Sequence, residues 1–360
     1  MKSRFIALII AVMLLAAIAT GCGTPTATST DSTEAQETQS AQSEVTAAPQ
    51  ETAAPELEKI TFRLNYLASG LHAPFYVALD KGYYTEQGLD VTIAEGTGSG
   101  TTAKLIGMGT ELVGFSDFAS IAAAVTQGIP VQVVCPIYKI NGFAIITLDE
   151  SGINSPKDLE GKSVGFATGD GPSKLWQAVV KANNIDETKV NYVTMGGESK
   201  VTALITGQVD AILAGADNDA IEVKEKGFNA KVLRFADYGA PTVGLSILAS
   251  RDAIEDKSET IQRFIAATLK GWEDARNDPD GAIAIMQKYY PDLNVATARG
   301  GLDAALASMF TDSSKTMADV SPEEWETCIQ LLRDYMGLDG SFPADVFYTT
   351  VCLPDELPAK

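Results

Sequence analysis

The sequence predicts an α/β protein of two lobes, joined by two strand-like crossovers at a hinge and completed by a helical C-terminal segment packed on the first lobe. Three observations lead there. Short apolar runs alternate with amphipathic helical patterns over residues 59–138, and the alternation starts afresh over 139–237; that rhythm belongs to mostly parallel sheets. Over 238–360, one more apolar run is followed by helical patterns, so the chain returns to cover the first lobe. The body after residue 58 holds about 300 residues, a length that divides more naturally into two lobes than one core.

The chain opens with Lys2 and Arg4, an apolar run from Phe5 to Ile18, and the small residues Ala19, Thr20 and Gly21 before Cys22. A basic start, a short apolar stretch and small exit residues make a secretory signal over 1–21. The apolar run is too short to span a bilayer. A cysteine directly after it resembles the bacterial lipobox, with Ala19 in place of the usual leucine, and the resemblance implies that Cys22 becomes a lipidated N-terminus. From Gly23 to Glu58 the chain is Thr, Ser, Ala, Gln, Glu and Pro with seven acidic side chains and no basic one. Such a composition buries too little apolar surface to fold. Residues 22–58 are therefore expected to be an anchor and a disordered tether, with a span of about 35 Å.

In the first lobe, strands are expected at Ile60–Asn65, Leu89–Ala94, Leu112–Ser116 and Val131–Ile137, with helices at Pro74–Lys81, Thr102–Met108 and Ile121–Thr126 between them. Pro74 suits a helix start, Gly82 a helix end and Gly88 the turn into the next strand. In the second lobe, strands are expected at Phe143–Thr147, Ser163–Ala167, Val190–Val193, Ala211–Ala214 and Lys231–Phe235, with helices at Ser173–Asn183, Lys200–Thr206 and Asp219–Lys226. Val243–Ala249 is the returning strand. In Ser258–Arg276, Ile261, Phe264, Ile265, Leu269 and Trp272 share one helical face, and Ala282–Tyr289, Ala296–Met309 and Pro322–Tyr335 follow the same pattern. Ser321 with Glu324 forms a capping box at the start of the last.

Composition narrows the function. The chain carries 47 acidic and 27 basic residues, a formal charge of −20, which argues against nucleic acid as a partner. It also argues against an anionic membrane touching the body, leaving membrane contact to the lipid. The single histidine, His72, leaves almost no material for a Ser-His-Asp hydrolase or a multi-histidine metal centre; neither a metal nor a cofactor is expected. Cys135, Cys328 and Cys352 are an odd number with no zinc-ligand spacing. Cys135 sits in an apolar run as a core residue, while spacing leaves open whether Cys328 and Cys352 pair.

Residues 72–91, HAPFYVALDKGYYTEQGLDV, resemble the opening of the importer-linked binding proteins for thiamine-precursor pyrimidines, nitrate, sulfonates and taurine. Further landmarks of that family follow in order: GTGSGTTAK at 96–104, VGFSDF at 113–118, SPKDLEGKSVG at 155–165, GQVDA at 207–211 and DYG at 237–239. The resemblance covers nearly the whole body. It implies a type 2 periplasmic-binding-protein fold, with the ligand held between lobes beyond the carboxyl ends of strands and near helix N-termini.

The turns at such places supply the candidate contacts: Asn65, Tyr66 and His72 after the first strand; Ser99 and Gly100 after the second; Ser116, Asp117 and Phe118 after the third. The second lobe offers Thr168, Ser173 and Trp176, then Asp217 and Asn218, and Tyr238 precedes the returning strand. Tyr66, Phe118 and Tyr238 are expected to be mobile cleft aromatics. Trp176 suits core packing as well as stacking, and Asp117 and Asp217 suit turn or cap roles as well as reading a ligand amino group. No arginine falls in these loops, although Lys104, Lys174 and Arg234 lie near them, and an anion clamp usually uses one. The expected function is therefore capture of a small solute, a thiamine-precursor pyrimidine or related aromatic heterocycle, by an extracytoplasmic, lipid-anchored monomer that delivers it to the membrane subunits of an ABC importer. The alternatives are a sulfonate, taurine or nitrate receptor of the same family, or a thiamine-pyrimidine biosynthetic enzyme of the same fold that consumes a histidine.

Overall fold

The computed structural model describes residues 56–168, 170–338 and 340–360. The signal, Cys22 and nearly all of the tether lie outside them, as does Gly169 beside Thr168. The strands are β1 (Glu58–Arg63), β2 (Leu89–Ala94), β3 (Val113–Asp117), β4 (Val131–Pro136), β5 (Phe143–Leu148), β6 (Ser163–Phe166), β7 (Asn191–Thr194), β8 (Ala211–Gly215), β9 (Ala230–Arg234) and β10 (Leu245–Ser250). They form two five-stranded sheets, in the orders β2-β1-β3-β10-β4 and β7-β6-β8-β5-β9. β1, β2 and β3 pair in parallel, as do β6, β7 and β8, whereas β10 enters antiparallel between β3 and β4, and β5 antiparallel between β8 and β9. The chain thus leaves the first sheet after β4 and returns to its middle through β10.

The helices are α1 (Ala73–Asp80), α2 (Tyr83–Glu86), α3 (Ser99–Gly107), α4 (Phe118–Thr126), α5 (Gly171–Ala182), α6 (Lys200–Ile205), α7 (Asp219–Glu225), α8 (Arg251–Asn277), α9 (Pro279–Tyr289), α10 (Val295–Ser308) and α11 (Pro322–Met336). Local chemistry sets their ends. Pro74 lies in the first turn of α1, and Gly82 and Gly88 take φ of 77° and 73°, the left-handed region that glycine enters without a Cβ penalty. Ser321 and Glu324 form the expected reciprocal cap of α11. The short α2 and the early starts of α3 and α4 were not legible in the apolar spacing.

One core lies under α1 and α8, where Phe62 meets Phe75 at 4.8 Å and Phe264 at 5.1 Å between ring centres. The C-terminal helices do more than cover the first sheet. α8 and α9 pack on α1, but α10 also touches α7 of the second lobe, and α11 packs along α5. A single apolar cluster accordingly runs from Phe118 and Val131 through Trp325 and Ile329 to Trp176 and Ile145, joining both sheets. Docking of α10 needs Gly70, since a Cβ there would stand 1.7 Å from the Ala298 carbonyl oxygen. Cys135, Cys328 and Cys352 are all buried free thiols, which resolves the open pairing: Cys328 belongs to the cluster under α11, Cys352 to the core under α8.

The two crossovers are bonded to each other. Asn141, 1 % exposed, donates from Nδ2 to the Ala240 carbonyl at 2.8 Å and from its backbone to the Thr242 carbonyl at 2.8 Å, and Gly244 N–H donates to the Tyr138 carbonyl at 3.0 Å. Asn141→Ala should lower unfolding free energy by about 1–3 kcal/mol, because a buried carbonyl loses its donor. Urea denaturation measures this; an unchanged midpoint would show that the crossovers are held by something else.

Candidate functional site

The ends of β1, β3, β6 and β8 and the helix N-termini beyond them converge on the space between the sheets. After β1, Ser69 N–H donates to His72 Nδ1 at 3.1 Å, which leaves the proton on Nε2, 2.8 Å from Asn65 Oδ1. His72 is 1 % exposed, and burial pushes its pKa down to about 3. It is therefore a neutral brace that fixes Asn65 and the loop carrying Tyr66, rather than a cleft-lining side chain. Tyr66 is 41 % exposed, and its hydroxyl lies 3.9 Å from where a Cβ on Gly197 of the second lobe would be.

The start of α3 is stitched to the end of β3. Ser99 Oγ accepts from Asp117 N–H at 3.2 Å, and Ser116 Oγ donates to the Ser99 carbonyl at 3.1 Å. Asp117 caps α4 by accepting from Ser120 N–H at 2.8 Å. From the opposite lobe Lys174 Nζ donates to Ser120 Oγ at 2.9 Å, and it stands 3.5 Å from where a Cβ on Gly100 would be. One ammonium thus covers the N-termini of both α3 and α4, where the helix dipoles already favour negative charge. The cleft is less poor in cations than its loop sequences suggested.

In the second lobe Asp170 caps α5, accepting from Ser173 N–H at 2.8 Å, and Thr168 is exposed just before it. Lys200, 5 % exposed, lies between Asp170 (3.5 Å) and Asp219 (3.6 Å) and donates to the Leu213 carbonyl at 3.2 Å. Burial raises the Asp170 pKa although Lys200 opposes it. In the sequence Lys200 stands out only as the first residue of a helix. A lysine opening a helix, against the dipole preference, was the available signal. Asp217 and Asn218 follow β8 and line an interlobe cavity of about 150 Å³ with Ser69, Gly70 and Thr297.

Three expected contacts are elsewhere. Phe118 is wholly buried, 5.1 Å from Trp325 and 6.5 Å from Phe347 between ring centres; as first residue of α4 it turns inward beneath α11. Trp176 is a core residue whose Nε1 donates to the Tyr192 hydroxyl at 2.7 Å. The Tyr238 carbonyl accepts from Asn183 Nδ2 at 2.8 Å, which places it at the C-terminal end of α5, a helix length of about 16 Å from the end that meets Ser120. Among the described residues no group of three or more His, Cys, Asp or Glu side chains is placed to hold a metal ion, and no helix is long and apolar enough to cross a membrane.

Two lobes, two crossovers and facing strand ends define a clamp of the periplasmic-binding-protein fold. Residues 70–282 match the family described as NMT1/THI5 like, and the chain belongs to that family. It is 24 % identical over 300 residues to a formylaminopyrimidine-binding protein of Halalkalibacterium halodurans, covering 82 % of this chain and 91 % of that one. It is 26 % identical over 296 residues to the riboflavin-binding protein RibY of Chloroflexus aurantiacus, covering 81 % and 80 %. Other relatives are named 4-amino-5-hydroxymethyl-2-methylpyrimidine phosphate synthase, among them one of Legionella pneumophila, 23 % identical over 302 residues, covering 82 % and 93 %. Among solved structures, the alkanesulfonate-binding protein SsuA of Xanthomonas axonopodis pv. citri matches with a TM-score of 0.63 at 16 % identity, over 82 % of this chain and 99 % of that one, and shares the fold.

The brace at His72 has a pH signature. Its folded pKa lies below the unfolded value, so the stability it supports is present above about pH 6.5 and falls as pH drops toward 3. The loss should approach about 1.4 kcal/mol per pH unit. His72→Phe should unfold more readily at neutral pH yet lack this component of the acid dependence. Urea titrations from pH 7 to 4 measure both, and parallel pH profiles for the two proteins would contradict the assignment.

Proposed function

We propose that the protein is the extracytoplasmic solute-binding component of an ABC importer. It is a monomer held to the cell membrane by lipid on Cys22 and standing off on the tether that runs from there to β1, which takes in Glu58 at its start. Residues 59–138 and 238–360 form one lobe and 139–237 the other. The observation that carries this reading is that side chains of both lobes meet across the cleft at strand ends, Lys174 on Ser120 and Tyr66 opposite Gly197. A ligand touching both sides favours the closed form, and the closed form is what the importer's membrane subunits recognise. Asn65, Tyr66, Ser99, Gly100, Ser116, Thr168, Ser173, Asp217 and Asn218 surround the space it fills.

The solute is a thiamine-precursor pyrimidine or a related aromatic heterocycle. Tyr66 offers a ring face, Asn65, Asp217 and Asn218 offer polar edges, and the named ligands of two relatives are heterocycles. The protein makes and breaks no bond. The synthase reading needs a histidine to consume, and the only one here is buried with both ring nitrogens engaged.

Melting of the tether-free body against pyrimidines, flavins, sulfonates, nitrate and amino acids tests the proposal. A ligand at 100 times its dissociation constant should add about 2.7 kcal/mol, and no response to any class would refute it. Tyr66→Ala should weaken binding roughly tenfold without lowering ligand-free stability, since the ring is exposed. Cys22→Ser should move the protein from the membrane to the soluble fraction; continued membrane retention would remove the anchor.

A further inference from the structure

Among the described residues, no other side chain donates a hydrogen bond to the Asp217 carboxyl. The Asp217 carboxyl occupies space cleared by two glycines of adjoining strand ends: a Cβ on Gly215 would stand 2.8 Å from Oδ1, and one on Gly142 3.3 Å from Oδ2. A third glycine, Gly301 of α10, lets the Asp217 carbonyl approach within 3.1 Å of its missing Cβ. Glycines on three elements therefore make room for this one residue. Lys200 is taken by Asp170 and Asp219. Among the described residues the Asp217 carboxyl receives a hydrogen bond only from its own backbone N–H.

Asp217 keeps part of its surface exposed, toward the interlobe cavity, yet the protein around the carboxyl is dense. Burial pushes its pKa up to about 6; Asp219 of α7 adds to the rise, and Arg234 at the end of β9 opposes it. From the first crossover Tyr138, whose buried hydroxyl has no partner among the described residues, feels the same charge. A carboxylate in such a place lacks a side-chain donor, and a ligand in the cavity would bring one.

We propose that Asp217 is the specificity-determining contact of the cleft: it receives an N–H donor of the ligand, so the protein selects solutes that carry an amino or ammonium group over donorless anions of similar size. This rests on the receptor reading above. Two consequences follow from the raised pKa. Affinity for the donor rises as pH passes upward through about 6, where the carboxyl ionises. Ligand-free stability moves the other way, because the fold favours the protonated acid and loses that preference as pH rises.

The test compares wild type with Asp217→Asn at about pH 5 and about pH 7.5, using 4-amino-5-hydroxymethyl-2-methylpyrimidine, its 4-hydroxy counterpart, taurine and nitrate as probes. In calorimetry the amino probe should bind wild type about tenfold more tightly at the higher pH relative to the Asn variant, and the preference for amino over hydroxy should vanish in the variant. The probe's own titration cancels, since both proteins meet the same compound. Without ligand, the melting temperature of the Asn variant should gain on wild type between the lower and higher pH. If taurine binds with this Asp217 dependence and the pyrimidines do not bind, the pyrimidine assignment falls and the inference stands. If a pyrimidine binds both proteins with the same pH profile, the inference falls and the assignment stands. If no probe binds, the ligand-free comparison decides, and a constant gap in melting temperature overturns the inference.

Discussion

The cleft exists because the two crossovers lie against each other. Asn141 ties the first to the second through the Ala240 and Thr242 carbonyls, and Gly244 closes the ladder onto Tyr138. This pairing is possible only because β10 returns antiparallel between β3 and β4, directly beside the strand from which the chain departs. With the crossovers fixed side by side, the carboxyl ends of β1 and β3 must face those of β6 and β8. Apart from Ser99 and Gly100, which follow β2, and Tyr238, which follows β9, the candidate contacts are set on one of those ends or on a segment that begins there.

The C-terminal helices then decide how the lobes can move. α10 touches α7 through Gly300 on Ile221 and a Thr297–Glu225 hydrogen bond, while α11 lies on α5 and shares its apolar cluster. Both edges of the cleft are thus bridged by helices from the chain's final third. Wide separation of the lobes would expose the face of α11 around Trp325 and Ile329, at about 25 cal/mol per Å² of apolar surface. Small shear between packed helices costs far less. A ligand therefore needs only a modest difference in contacts between the two arrangements to shift their populations.

Much of this architecture was legible in the sequence, since alternating apolar runs mark the strands and the Ser321–Glu324 pair marks the start of α11. The ordered landmarks from His72 to Tyr238 carried the topology. What could not be read was which way a strand-end side chain turns. Phe118 and Tyr66 both follow a strand, yet Phe118 is drawn under Trp325, some two hundred residues later in the chain, and Tyr66 has no such neighbour and stays exposed. Tyr238 failed for a related reason, because the chain after β9 runs back along α5 to Asn183. His72 was a candidate contact on sequence position; only its burial and its two bonded nitrogens make it a support for Asn65.

The buried charges of the second lobe follow a different logic from its core. Placing Lys200 between two carboxylates does not by itself stabilise a fold, since desolvation of three ions offsets most of their attraction. Its effect is geometric. Asp170 caps α5, Asp219 holds the Gly215 N–H at 2.9 Å, and Lys200 opens α6. One ammonium therefore fixes three helix starts relative to the end of β8. That arrangement ties the rim together through a lysine that is only 5 % exposed. Asp217, two residues from Asp219, stands outside this network, and a donor brought by a ligand in the cleft would complete its hydrogen bonding.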